Sequence, residues 1–241
     1  MNSQPTQNDS MLPLMVDIWQ QTLNWQPNEQ QQRQFQQLYE LIVTGNRQLN
    51  LTRITEPREF WEKHLWDSLR GIAPFLLNPL PITNYQLPIT NPQVIDIGTG
   101  AGFPGVPCAI ASPHWQVTLL DSTRKKIAFL DTLLAQLSLP NAKTLSGRSE
   151  QINQQLLYRN HYDLALIRAV GSASVCAEYA LPFLKAGGLA ILYRGHWTDE
   201  EATDLQPVID RLGGKLESVE AFTTPLSQSV RHCLYLRKSH N

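Results

Sequence analysis

Residues 94–102 read Val-Ile-Asp-Ile-Gly-Thr-Gly-Ala-Gly: a short apolar run carrying Asp96, then glycines at 98, 100 and 102. Glycine suits backbone that must turn sharply and let a ligand approach without a Cβ in the way. In an open α/β sheet the ligand crevice lies past the carboxyl ends of the strands, where such a loop falls. A dinucleotide fingerprint, GxGxxG, would put its third glycine at 103; here 103 is Phe and the third glycine is Gly102. The D-x-GxGxG pattern after an apolar strand points instead to a nucleoside-type cofactor without a pyrophosphate, S-adenosylmethionine. The plainer reading, a tight strand-to-helix turn, is disfavoured by three glycines in five residues.

A second acidic position supports the first motif. The apolar run WQVTLLD ends at Asp121, 23 residues after Gly98, followed by Ser122 and Thr123. An acidic residue about 20 residues past the glycine loop accepts hydrogen bonds from ribose hydroxyls in this architecture. Asp121 and Ser122 could equally cap the next helix, and both roles can coexist. A third polar loop, Ser146-Gly-Arg-Ser-Glu150, follows another apparent strand at the place that usually flanks an adenine; alone it is a weak signal.

The elements that must position these loops alternate. From 94 onward the chain reads strand VIDIG, glycine turn and helix, strand WQVTLLD, helix RKKIAFLDTLLAQLSL, then strand YDLALIRAV and helix SASVCAEYALPFL. Strand GGLAILYRG, helix DEEATDLQPVIDRL with an acidic first turn, and two strands in LESVEAF and RHCLYLRK complete it. Repeated β-α-β units predict an α/β, doubly wound, mostly parallel sheet of Rossmann-like type over 94–241, with a C-terminal hairpin adding an antiparallel edge strand. Upstream, Leu12, Met15, Ile18, Trp19 and Leu23, then Phe35, Leu38, Tyr39 and Ile42, recur at helical spacing. Helices are expected over about 10–25 and 29–49, their many glutamines on solvated faces. A further helix is expected over 57–76, opened by Pro57. Residues 1–76 thus read as an N-terminal helical extension. Segment 77–93, with four prolines in NPLPITNYQLPITNP, reads as a surface linker.

Bulk composition narrows the classes. The 241 residues hold 42% hydrophobic and 17% charged side chains, an ordinary globular balance, and Lys+Arg 20 against Asp+Glu 21 gives a net charge of −1. No global basic field marks a nucleic-acid binder, so any RNA contact must be a local patch. Cys108, Cys176 and Cys233 are far apart and show no metal-ligand spacing, so neither a disulfide framework nor a metal site is expected. No apolar run approaches the roughly 20 residues that span a bilayer. The first ten residues lack a signal-peptide pattern, and a cytoplasmic setting is expected.

Several segments together resemble the bacterial 16S rRNA (guanine-N7) methyltransferases, the RsmG (formerly GidB) family. They are NLTRI at 50–54, KHLWDS at 63–68, VIDIGTGAGFPGVP at 94–107, TLLDSTRKKIAFL at 118–130, SGRSE at 146–150, IRAV at 167–170 and Arg231-His232. The resemblance runs from about 50 to 237, and DIGTGAGFPG with its trailing Phe-Pro-Gly is its most specific part. It implies S-adenosylmethionine as cofactor and 16S rRNA or the 30S subunit as substrate, with no protein partner evident. It implies cofactor contacts at Gly98, Gly100 and Phe103, ribose contacts at Asp121, Ser122 and Thr123, and an adenine frame at Ser149 and Glu150. Arg168 would reach the methionine carboxylate, which a guanidinium can grip with two prongs. Arg148, Arg194 and Arg231 match basic positions that face rRNA, and His64 and Asp67 match a polar pair beside the cleft without an assigned role. The family often has Lys where this chain has Arg194, and its linker is usually shorter than 77–93.

The chemistry implied is undemanding in one respect. Guanine N7 has a free lone pair and no proton to lose, so methyl transfer to it needs positioning and desolvation rather than a general base, and no catalytic residue is expected. Access is harder, because N7 lies in the deep, narrow major groove of A-form RNA. Phe103 or Trp197 offers a stacking surface, although Trp197 reads better as a core residue, and Arg124-Lys125-Lys126 reads better as a solvated helix face. The competing functions are a small-molecule methyltransferase, an NAD-dependent dehydrogenase and a non-catalytic ribosome-assembly protein.

Overall fold

A computed structural model describes residues 11–77 and 91–239. Its centre is a seven-stranded sheet in the order β3-β2-β1-β4-β5-β7-β6. The strands are β1 (Gln93–Ile97), β2 (Gln116–Asp121), β3 (Ala142–Ser146), β4 (Tyr162–Arg168), β5 (Leu184–Arg194), β6 (Gly214–Thr223) and β7 (Val230–Lys238). The first five pair in parallel, and β7 pairs antiparallel with both β5 and β6. The doubly wound α/β expectation holds, with one change at the edge. The antiparallel strand is β7, which lies between β5 and β6, so the edge itself is β6. The hydrophobic run CLYL in β7 explains the insertion: Cys233 through Leu236 are buried on both faces, whereas much of β6 is exposed.

Strand residues alternate between two cores, as a period of two requires. Val94, Leu164, Leu166 and Ile191 face one side; Ile95, Ile97, Ala165, Ile167 and Leu192 face the other. The first side is covered by α1 (Val16–Leu23), α2 (Glu29–Leu49), α5 (Gly105–Ala111) and α6 (Arg124–Gln136). The second is covered by α8 (Ala173–Ala180) and α9 (Asp199–Arg211), whose Leu205 and Ile209 are buried; the short α7 (Ser149–Ile152) contributes Ile152.

The helix expected over 57–76 is more irregular than its spacing suggested. It comprises α3 (Pro57–Phe60), a π-helical turn (Trp61–Trp66), α4 (Asp67–Arg70) and a separate 3₁₀ turn (Ala73–Phe75). Such wide turns recur where a helix must redirect side chains toward a functional site. The linker expected over 77–93 lies, apart from its ends, outside the described residues.

The N-terminal helices share their core with the sheet. Trp19, Leu38 and Ile42 belong to the same cluster of buried side chains as Val94, Trp115 and Leu166. The glutamines are not all solvated, as the sequence had suggested. Gln31 closes a capping box with Asn28 and is buried, its Nε2 donating to the Ile110 and Ala111 carbonyls at the end of α5 at 3.0 and 3.2 Å. Gln34 and Gln37 donate to the Leu137 and Gln136 carbonyls at the end of α6. These amides satisfy helix carbonyls that have no partner within their own helix. Replacing Gln31 with Ala is expected to cost about 2 kcal/mol. Urea unfolding followed by both tryptophan fluorescence and far-ultraviolet dichroism should still show one transition. Two separate transitions would mean that the helical part is an independent unit.

Candidate active site

The bend after β1 is held by carboxylates at the ends of β1 and β2. Asp96 is fully buried; its Oδ2 accepts from Thr99 Oγ1 at 2.5 Å and from the Gly105 amide at 2.8 Å. Burial pushes its carboxyl up to about 6, against the pull of those two hydrogen bonds and of Arg168. Asp121 Oδ2 accepts from the Gly100 amide at 3.0 Å and its Oδ1 from the Thr123 amide at 2.8 Å. One side chain therefore ties the glycine bend to Thr123, the residue before α6, but α6 has no side-chain cap, so the capping role read from the sequence is not observed. Glycine is required at 98, where φ is +68° and a Cβ would lie 2.6 Å from Val170 Cγ2, and at 105, where a Cβ would lie 2.7 Å from the Asp96 carboxylate.

Beside this bend lies a cleft of about 170 Å³. Gly98, Asp121, Ser122, Ser149 and Glu150 line it, so five of the nine expected cofactor residues, from three separate loops, come together there. Gly100 and Thr123 act one step back, through their amides on Asp121. Ser149 Oγ is buried without a hydrogen-bond partner. Glu150 pairs with Arg148 at 2.6 Å on the exposed rim. Val170 and Tyr179 complete the cleft and were not anticipated, since neither belongs to a polar or glycine motif.

Phe103 and Arg168 sit apart from that cleft. Phe103 is buried and stacks on His64, with ring centroids 4.4 Å apart and planes 8° from parallel. Arg168 Nη1 donates to Asp67 Oδ2 and to the Lys63 carbonyl, both at 2.9 Å, and its guanidinium faces His64 Nδ1 at 3.5 Å. The polar pair without a role thus acquires one: with Lys63 it anchors Arg168 at the end of β4. Both partners of the Arg168–Asp67 pair are largely buried, so either alone would be a stranded charge.

Arg168 opens onto a second cleft, of about 420 Å³, that also takes in Arg194 and Arg231. Arg194 is ion-paired with Glu201 and donates to the Gly171 carbonyl. Arg148 lies on the rim of the first cleft, so the three arginines expected at an RNA surface do not form one patch. Trp197 is half-buried against the α9 side of the core, as its plainer reading suggested. Arg124 and Lys125 are exposed on the first turn of α6. Among the described residues, no group of His, Cys, Asp and Glu side chains is arranged to hold a metal. No helix among them is long and apolar enough to cross a membrane.

His64 is buried, and desolvation, then Arg168 and Lys63, hold its imidazole down to about 3. The unfolded chain takes up this proton below about 6.5 and the folded chain does not until about 3, so the contribution of neutral His64 is lost as pH falls through that window. Asp96 works oppositely, gaining stability as pH falls from about 6. Chemical denaturation at pH 7 and at about pH 4.5 should show the unmodified protein losing about 2 kcal/mol more than His64→Gln, which keeps Asp96 but cannot titrate at 64. Equal losses would show that His64 is protonated in the fold.

The sequence profile of GidB, rRNA small subunit methyltransferase G, matches residues 31–232. A protein from Nostoc punctiforme named ribosomal RNA small subunit methyltransferase G is 64% identical, over 95% of this chain and 91% of its own length. Proteins of the same name from Trichodesmium erythraeum and Microcystis aeruginosa are 57% and 54% identical, over 96% and 95% of this chain and 88% and 99% of theirs. Among solved structures, a variant of a 16S rRNA (adenine(1408)-N(1))-methyltransferase from Catenulisporales acidiphilia superposes with a TM-score of 0.52 at 16% identity, over 61% of this chain and 85% of that one. An S-adenosylmethionine-dependent methyltransferase from Methanosarcina mazei gives 0.50 at 13% identity, over 64% and 95%. These last two likenesses concern the fold. The profile match and the close relatives, each spanning most of the chain, establish that it belongs to the rRNA small subunit methyltransferase G family.

Proposed function

We propose that this chain is an S-adenosylmethionine-dependent methyltransferase that modifies N7 of a guanine in the 16S rRNA of the small ribosomal subunit. The observation that carries the reading is the first cleft. Its floor at Gly98 has no Cβ, the Asp121 carboxylate stands at its side, and the buried Ser149 hydroxyl lacks a partner among the protein's own groups. A nucleoside fits these features: its sugar hydroxyls donate to Asp121, whose oxygens each keep a free lone pair, and its base takes the hydroxyl of Ser149. Ser122 and Glu150 close its sides, and Arg168, held by Asp67 at the end of β4 in the adjoining cleft, is the cation toward which the amino-acid carboxylate would extend.

Bound there, S-adenosylmethionine supplies an electrophilic methyl group on its sulfonium. The chain's own share is to orient, to exclude water and to hold a target base in line. The surroundings support a reaction without proton transfer. His64 is neutral, its ring stacked on Phe103 with Nε2 on Thr52 and Nδ1 facing Arg168, and Asp67 and Glu201 are ion-paired. Membership of a family named for small-subunit rRNA methylation supports ribosomal RNA as the substrate and a cytoplasmic setting.

The test is methyl transfer from labelled S-adenosylmethionine to small-subunit particles from cells lacking the gene, with mass-spectrometric mapping of the digested 16S rRNA. One 7-methylguanosine should appear, and only with the protein. Its single-turnover rate should be flat between about pH 7 and about pH 9. Methylation of small metabolites but not of the particles, or a rate tracking one ionisation in that range, would contradict the reading.

A further inference from the structure

The segment Asn50-Leu51-Thr52-Arg53-Ile54 lines neither cleft, yet its backbone is tightly held. Asn50 ends α2 in a left-handed conformation, φ +49°, with its amide on the Asn46 carbonyl. The Asn46 side chain then accepts the Thr52 amide at 2.9 Å, and Thr52 Oγ1 accepts the Ile54 amide at 3.0 Å. Tyr39 of α2 donates to the Thr55 carbonyl at 2.8 Å. The turn therefore holds one hydroxyl in a fixed place, 2.8 Å from His64 Nε2.

Which of those two atoms donates is decided on the far side of the ring. A neutral imidazole carries one N–H and one lone pair, and a guanidinium offers only donors. His64 Nδ1 faces Arg168 Nη2 at 3.5 Å. An N–H on Nδ1 would set donor against donor beside a positive charge, so the lone pair belongs on Nδ1 and the proton on Nε2. His64 then donates to Thr52 Oγ1, whose two lone pairs serve His64 and the Ile54 amide. Burial and the neighbouring Arg168 keep the imidazole neutral, in agreement with this arrangement.

The ring is fixed on its faces as well. Phe103, which follows the glycine bend, stacks on it, and Phe60 meets it edge-on with centroids 4.9 Å apart. Both hydrogen bonds that hold Arg168, to Asp67 and to the Lys63 carbonyl, use Nη1. A guanidinium held at one nitrogen can still swing about it, and His64 is the group that faces the other, Nη2.

We infer that Thr52 and His64 are a positioning pair: Thr52 keeps the imidazole proton on Nε2, and the lone pair left on Nδ1 sets the orientation of the Arg168 guanidinium toward the amino-acid end of the cofactor. Neither side chain lines the first cleft, so both act through Arg168. The inference rests on the cofactor reading above, in which Arg168 receives the carboxylate.

Nuclear magnetic resonance of the full-length protein, isotope-labelled at its histidine rings, reads the tautomer directly. The signals of His64, identified by their loss in His64→Gln, should report a neutral ring protonated on Nε2 at about pH 7. Calorimetry then compares S-adenosylhomocysteine with 5′-methylthioadenosine, which keeps the nucleoside and lacks the amino-acid part. Thr52→Val, which keeps the shape and removes the acceptor, should weaken S-adenosylhomocysteine about fivefold and leave 5′-methylthioadenosine unchanged, and Thr52→Ser should keep the unmodified affinity. A merely structural role would weaken both ligands alike. A ring protonated on Nδ1, equal weakening of the two ligands, or affinity indifferent to Thr52→Val would each overturn the inference. The tautomer is read on unmodified protein without ligand, so it does not depend on a variant folding. A protein with the expected tautomer that bound neither ligand would leave the Thr52–His64 arrangement standing and count against the cofactor reading.

Discussion

A bend rich in glycine has few side chains with which to hold itself, and here the carboxylates of Asp96 and Asp121 hold it from the ends of adjacent strands, with Thr99 the one side chain of the bend that meets them. Each accepts a backbone N–H from the bend or the helix that follows it, at Gly105 and Gly100. The cost is visible at Asp96, where burial raises the carboxyl to about 6 and leaves Oδ1 without a partner. That cost is tolerated because the bend is then ordered before a ligand arrives, and binding need not supply the ordering free energy. Gly98, Gly100 and Gly102 all take left-handed conformations, and the Gly102 amide donates to the Thr99 carbonyl within the bend.

The helical part of the chain stabilises the same edge from the side. Glu62, buried in the π turn, accepts from the Leu226 and Ser227 amides and so pins the β6–β7 connection. Tyr193 and Tyr235 reach from β5 and β7 to the Ser68 and Gly71 carbonyls. Within the π turn the Asp67 amide reaches back to the Glu62 carbonyl, while the Lys63 carbonyl accepts from Arg168. These contacts make the helices a wall of the site: Arg168 on the sheet has its partners Asp67, His64 and Lys63 on the helical side.

What the sequence disclosed follows from the range of its signals. Gly98, Gly100, Gly102 and Asp121 were legible because local backbone geometry demands those residue types at a fixed spacing. Alternating apolar runs disclosed the sheet because burial on two faces leaves a continuous hydrophobic pattern, as in LALI of β4. The insertion of β7 between β5 and β6 was not legible, since strand order depends on pairing between distant segments. The buried Gln31 was misjudged because amide side chains are usually solvated, and only the tertiary placement of the α5 end gives it acceptors. The division of the arginines between two clefts, and the anchoring of Arg168 by residues about a hundred positions away, depend on long-range contacts for which no local motif exists. The family resemblance supplied the residue types there without their partners.

Calorimetric titration of the folded protein with S-adenosylhomocysteine addresses the cleft itself, independently of any RNA. Binding at one site per chain is expected, weakened at least tenfold in Asp121→Ala while Arg231→Ala leaves it unchanged. No detectable binding by a protein whose fold is verified in the same sample, or full affinity after loss of the Asp121 carboxylate, would contradict the assignment of this cleft to a nucleoside cofactor.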